Sequence, residues 1–350
     1  MAAVTWKCPN CGGGLTFDPD SQKFECEYCL SQFNQAELEQ IVPDEGEEQP
    51  DTAKEQADEF VPVLYMCPSC GAEIVTDETT AATFCFYCHN PVVLKGRLDG
   101  AYQPDYVLPF AIERERAKEI FLTWLKKKRF VPADFYSPEQ IEKMTGVYFP
   151  YWLYSCQVDG QMEAEATKLR VWESGNVRYT ETQKFDVSRK GQMKVDHVTR
   201  NALKKADKQL VEGVMPFDLK QLKTFSMEFL SGFFAEKRDM EQGEFKEEIE
   251  AEVQDFAKNS LRSSVGPYNQ VNVTTQRAEI RNPMWKYALL PVWTLTYKGK
   301  GDEKIYYFAC NGQTGKLCGK LPVDFAKLWI FFFEMFLPLL AALLVVGYLI

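Results

Sequence analysis

Histidine is nearly absent, with two residues in 350. His89 sits beside a cysteine pair and His197 stands alone, so neither a Ser/His/Asp triad nor a histidine-based hydrolytic metal site can be assembled. No G-x-x-x-x-G-K-[ST] loop and no G-x-G-x-x-G turn occurs, which removes the common phosphate cradles. Long apolar runs are missing until the last two dozen residues. The N-terminus MAAVTWKCPN has no basic stretch followed by an apolar one, so no secretory leader is expected. Clustered basic charge is missing as well. The net charge is −10, of which −9 falls in 34–60 (ten acids, one Lys), leaving the rest of the chain at −1. Such a balance provides no electrostatic footprint for nucleic acid.

Cysteine is abundant by contrast. Eight of the eleven cysteines form four C-x-x-C pairs. In a chain that is not exported these stay reduced, and paired spacing then reads as metal ligation rather than disulfides. The sets are Cys8, Cys11, Cys26, Cys29 and Cys67, Cys70, Cys85, Cys88, each C-x2-C-x14-C-x2-C. Two such loops joined by a β-hairpin turn four thiolates toward one point, which suits tetrahedral zinc. The sets align without gaps at a constant offset of 59, with Pro9/Pro68, Gly12/Gly71, Asp18/Asp77 and Tyr28/Tyr87 coinciding, so the unit is duplicated. A unit of roughly 30 residues buries too little core to fold alone, so bound metal is expected to supply its folding energy. Four protein thiolates leave no position open for water, which makes both zinc sites structural rather than catalytic.

The ribbons carry little positive charge. Residues 1–33 hold two Lys against four acids, and 61–97 two bases against three acids. Without phosphate contacts, nucleic-acid binding loses its main driving force. Phe24, Tyr28, Phe84, Phe86 and Tyr87 then read as ribbon core or a protein-docking face, with a base-stacking platform as the alternative.

Composition divides the chain into zinc ribbon 1 (1–33), an acidic flexible linker (34–60), zinc ribbon 2 (61–97), an α+β cytoplasmic domain (98–326) and a transmembrane helix (327–350). In the body, Ala117, Ile120, Phe121, Trp124 and Leu125 recur at helical spacing, and 126–129 (Lys-Lys-Lys-Arg) closes that helix or meets anionic headgroups. Strands are expected over 146–158, 161–187, 271–280, 289–297, 304–310 and 315–321, with turns at Gly160, Gly175-Asn176 and Asn311-Gly312. Helices are expected over 196–212 and 219–256, broken near Gly232 and Gly243. Cys310 and Cys318 face each other across the last hairpin or, with Cys156, serve as core thiols. The run after Lys327 holds one charge in 23 residues, the length of a bilayer span, and the lysines ahead of it place the body in the cytoplasm.

CPNCGGGLTFDPDSQKFECEYC (8–29), the second ribbon, KMTGVYFPYWLYSCQVDG (143–160), MPFDLKQL and FLSGFFAEKRD within 215–239, and NGQTGK (311–316) together resemble the YdjG-type family of bacterial membrane proteins. These carry two TFIIB-type zinc ribbons, a cytoplasmic domain and a C-terminal membrane helix, and the resemblance spans nearly the whole chain. It implies that the eight cysteines above are zinc ligands and that no catalytic residue is carried. It further implies an adaptor in a membrane stress complex, whose partners are a PspA-like coat protein and an SPFH or virion-core-like protein, with a sibling membrane protein beside them. The expectation is therefore a non-enzymatic, membrane-anchored zinc-ribbon scaffold with no nucleic acid and no small-molecule substrate. The alternative is a membrane-tethered nucleic-acid-binding or transcription-related protein.

Overall fold

The computed structural model describes residues 3–38, 44–45, 63–70, 73–76, 79–85, 90–94, 97–98, 100–298 and 305–349. Most of the acidic stretch 34–60 lies outside them, as do Gly71, Asp77, Phe86, Tyr87, Cys88 and His89.

In chain order, β1 (Ala3–Thr5) precedes a hairpin of β2 (Leu15–Asp18) and β3 (Lys23–Cys26), which β4 (Gln32–Phe33) extends. A single turn, α1 (Gln35–Leu38), and β5 (Asp44–Glu45) follow. The second repeat supplies two hairpins, β6 (Val63–Met66) with β7 (Glu73–Thr76) and β8 (Thr80–Phe84) with β9 (Pro91–Leu94). Then come β10 (Tyr106–Val107), α2 (Arg114–Leu125), α3 (Pro138–Ile141), β11 (Thr145–Ser174), β12 (Val177–Asn201) and α4 (Lys208–Gly213). The remainder is β13 (Lys223–Thr224), β14 (Phe234–Glu236), α5 (Lys246–Ser263), β15 (Gln270–Lys298), β16 (Ile305–Asn311), β17 (Leu317–Gly319) and α6 (Phe325–Leu349).

The chain forms two compact units. The first comprises Met1–Pro150, Leu203–Asp239 and Leu289–Ile350, the second Tyr151–Ala202 and Met240–Ala288. In the first, a mixed sheet runs β13-β10-β15-β11-β14-β8-β9-β1-β5, with β16 beside β15 and β17 beside β16. Phe110 sits at its centre, stacked on Phe233 at 4.2 Å and edge-on to Tyr148 at 5.1 Å. Gly312 exists for this ring, because a Cβ there would lie 2.6 Å from it. Helix α2 forms where the periodicity places it and buries Ala117, Phe121 and Leu125, with Phe121 against Phe308 at 4.3 Å. The cations that close it lie over aromatic rings, Lys128 over Trp124 and Arg129 over Phe331.

The second unit is built on β11 and β12, paired antiparallel from Tyr151↔Asn201 to Ser174↔Val177. One face packs α5 through Ile249, Val253 and Ala257 onto Tyr154, Cys156 and Val158. The turn expected at Gly175-Asn176 is present, but Gly160 is mid-strand, opposite Gly191, with ladder pairing on both sides. The helix expected from residue 196 is strand as far as Asn201, because His197 enters a bulge at φ 57 that keeps β12 in the ladder. In the first unit, the segment 219–239 holds β13, β14 and two single 3-10 turns (Leu219–Gln221 and Met227–Leu230) rather than α-helix; Gly232 takes φ 92, a left-handed value that ends helical winding.

The expected fold class is corrected in two respects. The described residues hold a large mixed sheet with six α-helices rather than ribbons strung ahead of a separate α+β body. The reason is strand pairing: β8 of the second ribbon pairs with β14, and its β9 pairs with β1, the strand that leads into the first ribbon. Second, among the described residues no helix is long and apolar enough to cross a membrane. Lys327 and Glu334 both fall within α6 and interrupt its apolar face. The start of α6 is also tied into the first unit, where Lys327 Nζ donates to the Val131 carbonyl at 2.7 Å and Phe331 meets Phe130 at 5.4 Å. The transmembrane helix expected at 327–350 and the single-pass membrane location both fall with that finding.

Candidate metal centres

The first centre is assembled by two tight turns. Gly12 N–H donates to the Cys8 carbonyl at 2.8 Å and Cys8 N–H to the Gly13 carbonyl at 2.7 Å. Gly12 takes φ 78 there, which glycine adopts at no steric cost. The second turn repeats the pattern, with Leu30 N–H on the Cys26 carbonyl at 2.8 Å. Here Leu30, which follows Cys29 as Gly12 follows Cys11, holds φ 58. Hairpin β2–β3 brings the turns together, since Leu15↔Cys26 is a registered pair.

The result is four sulfurs, Cys8, Cys11, Cys26 and Cys29, all within 4.8 Å of one another. Cys8 and Cys29 Sγ are 3.5 Å apart, and Cys11 and Cys26 Sγ 3.4 Å. A zinc ion with bonds of about 2.3 Å sets tetrahedral sulfurs roughly 3.8 Å apart, so the donor set fits such an ion. The Ser31 hydroxyl, 3.2 Å from Cys29 Sγ, together with the Ser31 N–H holds the Cys29 thiol down at about 6. Burial pushes the Cys8 thiol up. In the second centre Cys67, Cys70 and Cys85 converge in the same way, with Cys70 and Cys85 Sγ 3.7 Å apart. Its expected fourth ligand, Cys88, is outside the described residues. The duplication extends to solvent access: Cys8, Cys26, Cys67 and Cys85 are buried, whereas Cys11, Cys29 and Cys70 are exposed.

The aromatic set divides. Phe24 is core, packed with Phe17 at 5.3 Å and Phe229 at 5.9 Å, and Phe84 packs on Phe234 at 5.5 Å. Tyr28 and Leu30 instead project into solvent beside Cys29, at 73% and 71% exposure. Phe229 and Ser231 were invisible as ribbon partners in the sequence. The Ser231 hydroxyl donates to the Leu15 carbonyl at 2.5 Å and its carbonyl accepts from Phe17 N–H at 3.0 Å. A cleft of about 910 Å³ opens beside this ribbon, lined among others by Glu25, Glu27, Glu113, Glu115 and Trp293. Arg114 is its sole basic lining residue among those described. Burial, with Asp20 and Asp18 nearby, pushes the Glu113 carboxyl up.

The other singled-out residues play no part in these centres. Cys156 and Cys310 are buried, and desolvation pushes Cys310 up to about 12. The register Cys310↔Leu317 and Ala309↔Cys318 puts Cys310 and Cys318 on opposite faces of their hairpin, so they do not face each other. His197 lies in the β12 bulge, where its N–H donates to the Ser155 hydroxyl at 3.1 Å.

No protein-family profile matches the chain, and no solved structure does. A curated relative does: YdjG, an uncharacterized protein of Bacillus subtilis (strain 168), is 31% identical over 331 residues, covering 94% of this chain and 93% of its own. With two cysteine clusters that fit zinc ribbons and a match of that extent, the chain belongs to the YdjG family.

Proposed function

We propose that this chain is a non-enzymatic docking protein in which two structural zinc ribbons, held in one unit with a mixed sheet, present a contact surface to partner proteins. The observation that carries this reading is the division of the ribbon's apolar residues. Phe17 and Phe24 are consumed by the core, while Tyr28 and Leu30 stay exposed on the turn that holds Cys29. Exposed aromatic and aliphatic side chains on a rigid support are the usual anchors of protein interfaces. Four thiolates around the first zinc leave it no open coordination position, so the metal stiffens the turn rather than activating water. The carboxylates of the neighbouring cleft repel phosphate, which argues against a nucleic-acid role for the same face.

The partners proposed are those the sequence resemblance implies, a PspA-like coat protein and an SPFH or virion-core-like protein. The test is calorimetric titration of the full chain, zinc-loaded, with each purified partner. The double variant Tyr28→Ser, Leu30→Ser is expected to weaken binding at least about tenfold, the size of a modest hot spot, with zinc content unchanged. Undiminished binding by that variant refutes the assignment. Salt-dependent binding of DNA or RNA by the full chain, in place of either protein, refutes the docking role itself.

A further inference from the structure

The second unit carries a long strand edge with no partner. Among the described residues β12 pairs only with β11. The two strands are joined by a two-residue turn, Gly175-Asn176, flanked by the pair Ser174↔Val177. The closing pair of such a turn exchanges both of its hydrogen bonds, and the antiparallel pattern then alternates. The odd residues of 177–193 therefore point their amides at β11, and the even residues point theirs outward. Most of these residues are exposed, including the large apolar side chains of Val177, Tyr179 and Phe185, the last with one face against Tyr268 at 5.3 Å. Glu181, Arg189 and Met193 are half-buried, and Val187 is buried. A long exposed edge of this kind is a template for another strand.

We propose that the partner strand is β12 of a second copy of this chain, antiparallel about a two-fold axis through Phe185. Charge complementarity supports both the occupant and this register. About Phe185, Lys184 meets Asp186 of the other copy and Glu181 meets Arg189, each twice by symmetry, and no like charges oppose one another. An axis at 184, 186, 189 or 190 would set a charge against itself, and one at 187 would set Lys184 against Lys190. About Phe185 the even residues 184 and 186 also pair with each other, as two outward-pointing sets of amides require. The face bearing the odd residues agrees. Phe185 meets its own copy at the axis, where a non-hydrogen-bonded pair brings side chains closest, and Val177 falls opposite Met193. Tyr179 falls opposite Gly191, above which a Cβ would meet nothing within 4 Å. An aromatic ring laid over a strand glycine restores the burial which that glycine lacks.

The test is the mass of the full, zinc-loaded chain by light scattering and sedimentation equilibrium. A species of twice the 40.3 kDa chain mass is expected. Asp186→Lys sets lysine against Lys184 at both symmetric positions, and Lys184→Asp sets aspartate against Asp186. Each is expected to raise the dimer dissociation constant about 10- to 100-fold, from two cross-strand pairs turned from attraction to repulsion. Mixing the two variants restores Lys–Asp contacts at both positions and is expected to restore the dimer. Both residues are exposed, so neither change threatens the fold. A monomer at ~100 μM, unchanged dimerisation of Asp186→Lys, or failure of the mixture to associate overturns the proposal.

Discussion

Phe229→Ala isolates the ring contact between the first ribbon and the 3-10 turn Met227–Leu230 that packs on it. The Phe229 side chain is 1% exposed and touches both core rings of the ribbon, Phe17 at 5.3 Å and Phe24 at 5.9 Å between centroids. Lys223 Nζ lies 5.2 Å from the centroid of the Phe229 ring. Truncating a buried Phe costs about 3–5 kcal/mol through lost transfer energy and the cavity left behind. Within that sum, two ring pairs account for about 1–3 kcal/mol and the cation for about 0.5–1 kcal/mol. Against a typical stability of about 5–15 kcal/mol, the loss is large. The thiol positions do not depend on Phe229, so the variant is expected to keep its full zinc content while its urea midpoint falls by about 1 M or more. The assay is urea unfolding of the full chain followed by tryptophan fluorescence, with metal counted by plasma mass spectrometry. A loss below about 1 kcal/mol, the range of ordinary surface changes, would refute docking of the ribbon through this ring. Loss of a zinc equivalent would instead show that the metal centre depends on the docking.

Two further outcomes follow from the ribbon geometry. Cys26→Ser removes a fully buried ligand, so the full chain should bind one zinc fewer by mass spectrometry while the second centre keeps its own; two zinc ions still bound would contradict the ligand assignment. Gly12 and Leu30 hold equivalent left-handed positions at φ 78 and φ 58, where an L side chain costs about 1–2 kcal/mol. Gly12→Ala should therefore destabilise by about that amount and Leu30→Gly should stabilise by up to about 1 kcal/mol, and thermal shifts of the same sign in both variants would contradict it.

The convergence of Cys8, Cys11, Cys26 and Cys29, and of Cys67, Cys70 and Cys85, was legible in the sequence because its geometry is local. C-x-x-C fixes which sulfurs share a turn, the hairpin between the pairs supplies the rest, and the offset of 59 repeats it. Helix α2 and the Gly175-Asn176 turn were legible for the same reason, since periodicity and turn chemistry act over a few residues. The environment of the ribbons was not. Ser231 reaches Leu15 across 216 positions, and Glu236 accepts from Thr79 across 157, pairings on which neither segment's own pattern bears. Such contacts decided that Phe24 is core while Tyr28 is surface, two aromatics four residues apart in one ribbon. They also decided that β1 joins β9 and binds the repeats to each other. The same limit explains Gly160, which read as a turn until a second glycine, Gly191, completed the ladder opposite it. It explains β12 running on through His197 where helix was expected, because the long ladder with β11 outweighs local propensity. Local chemistry thus determined where the cysteines converge, and long-range strand pairing determined which residues surround them and which stay on the surface.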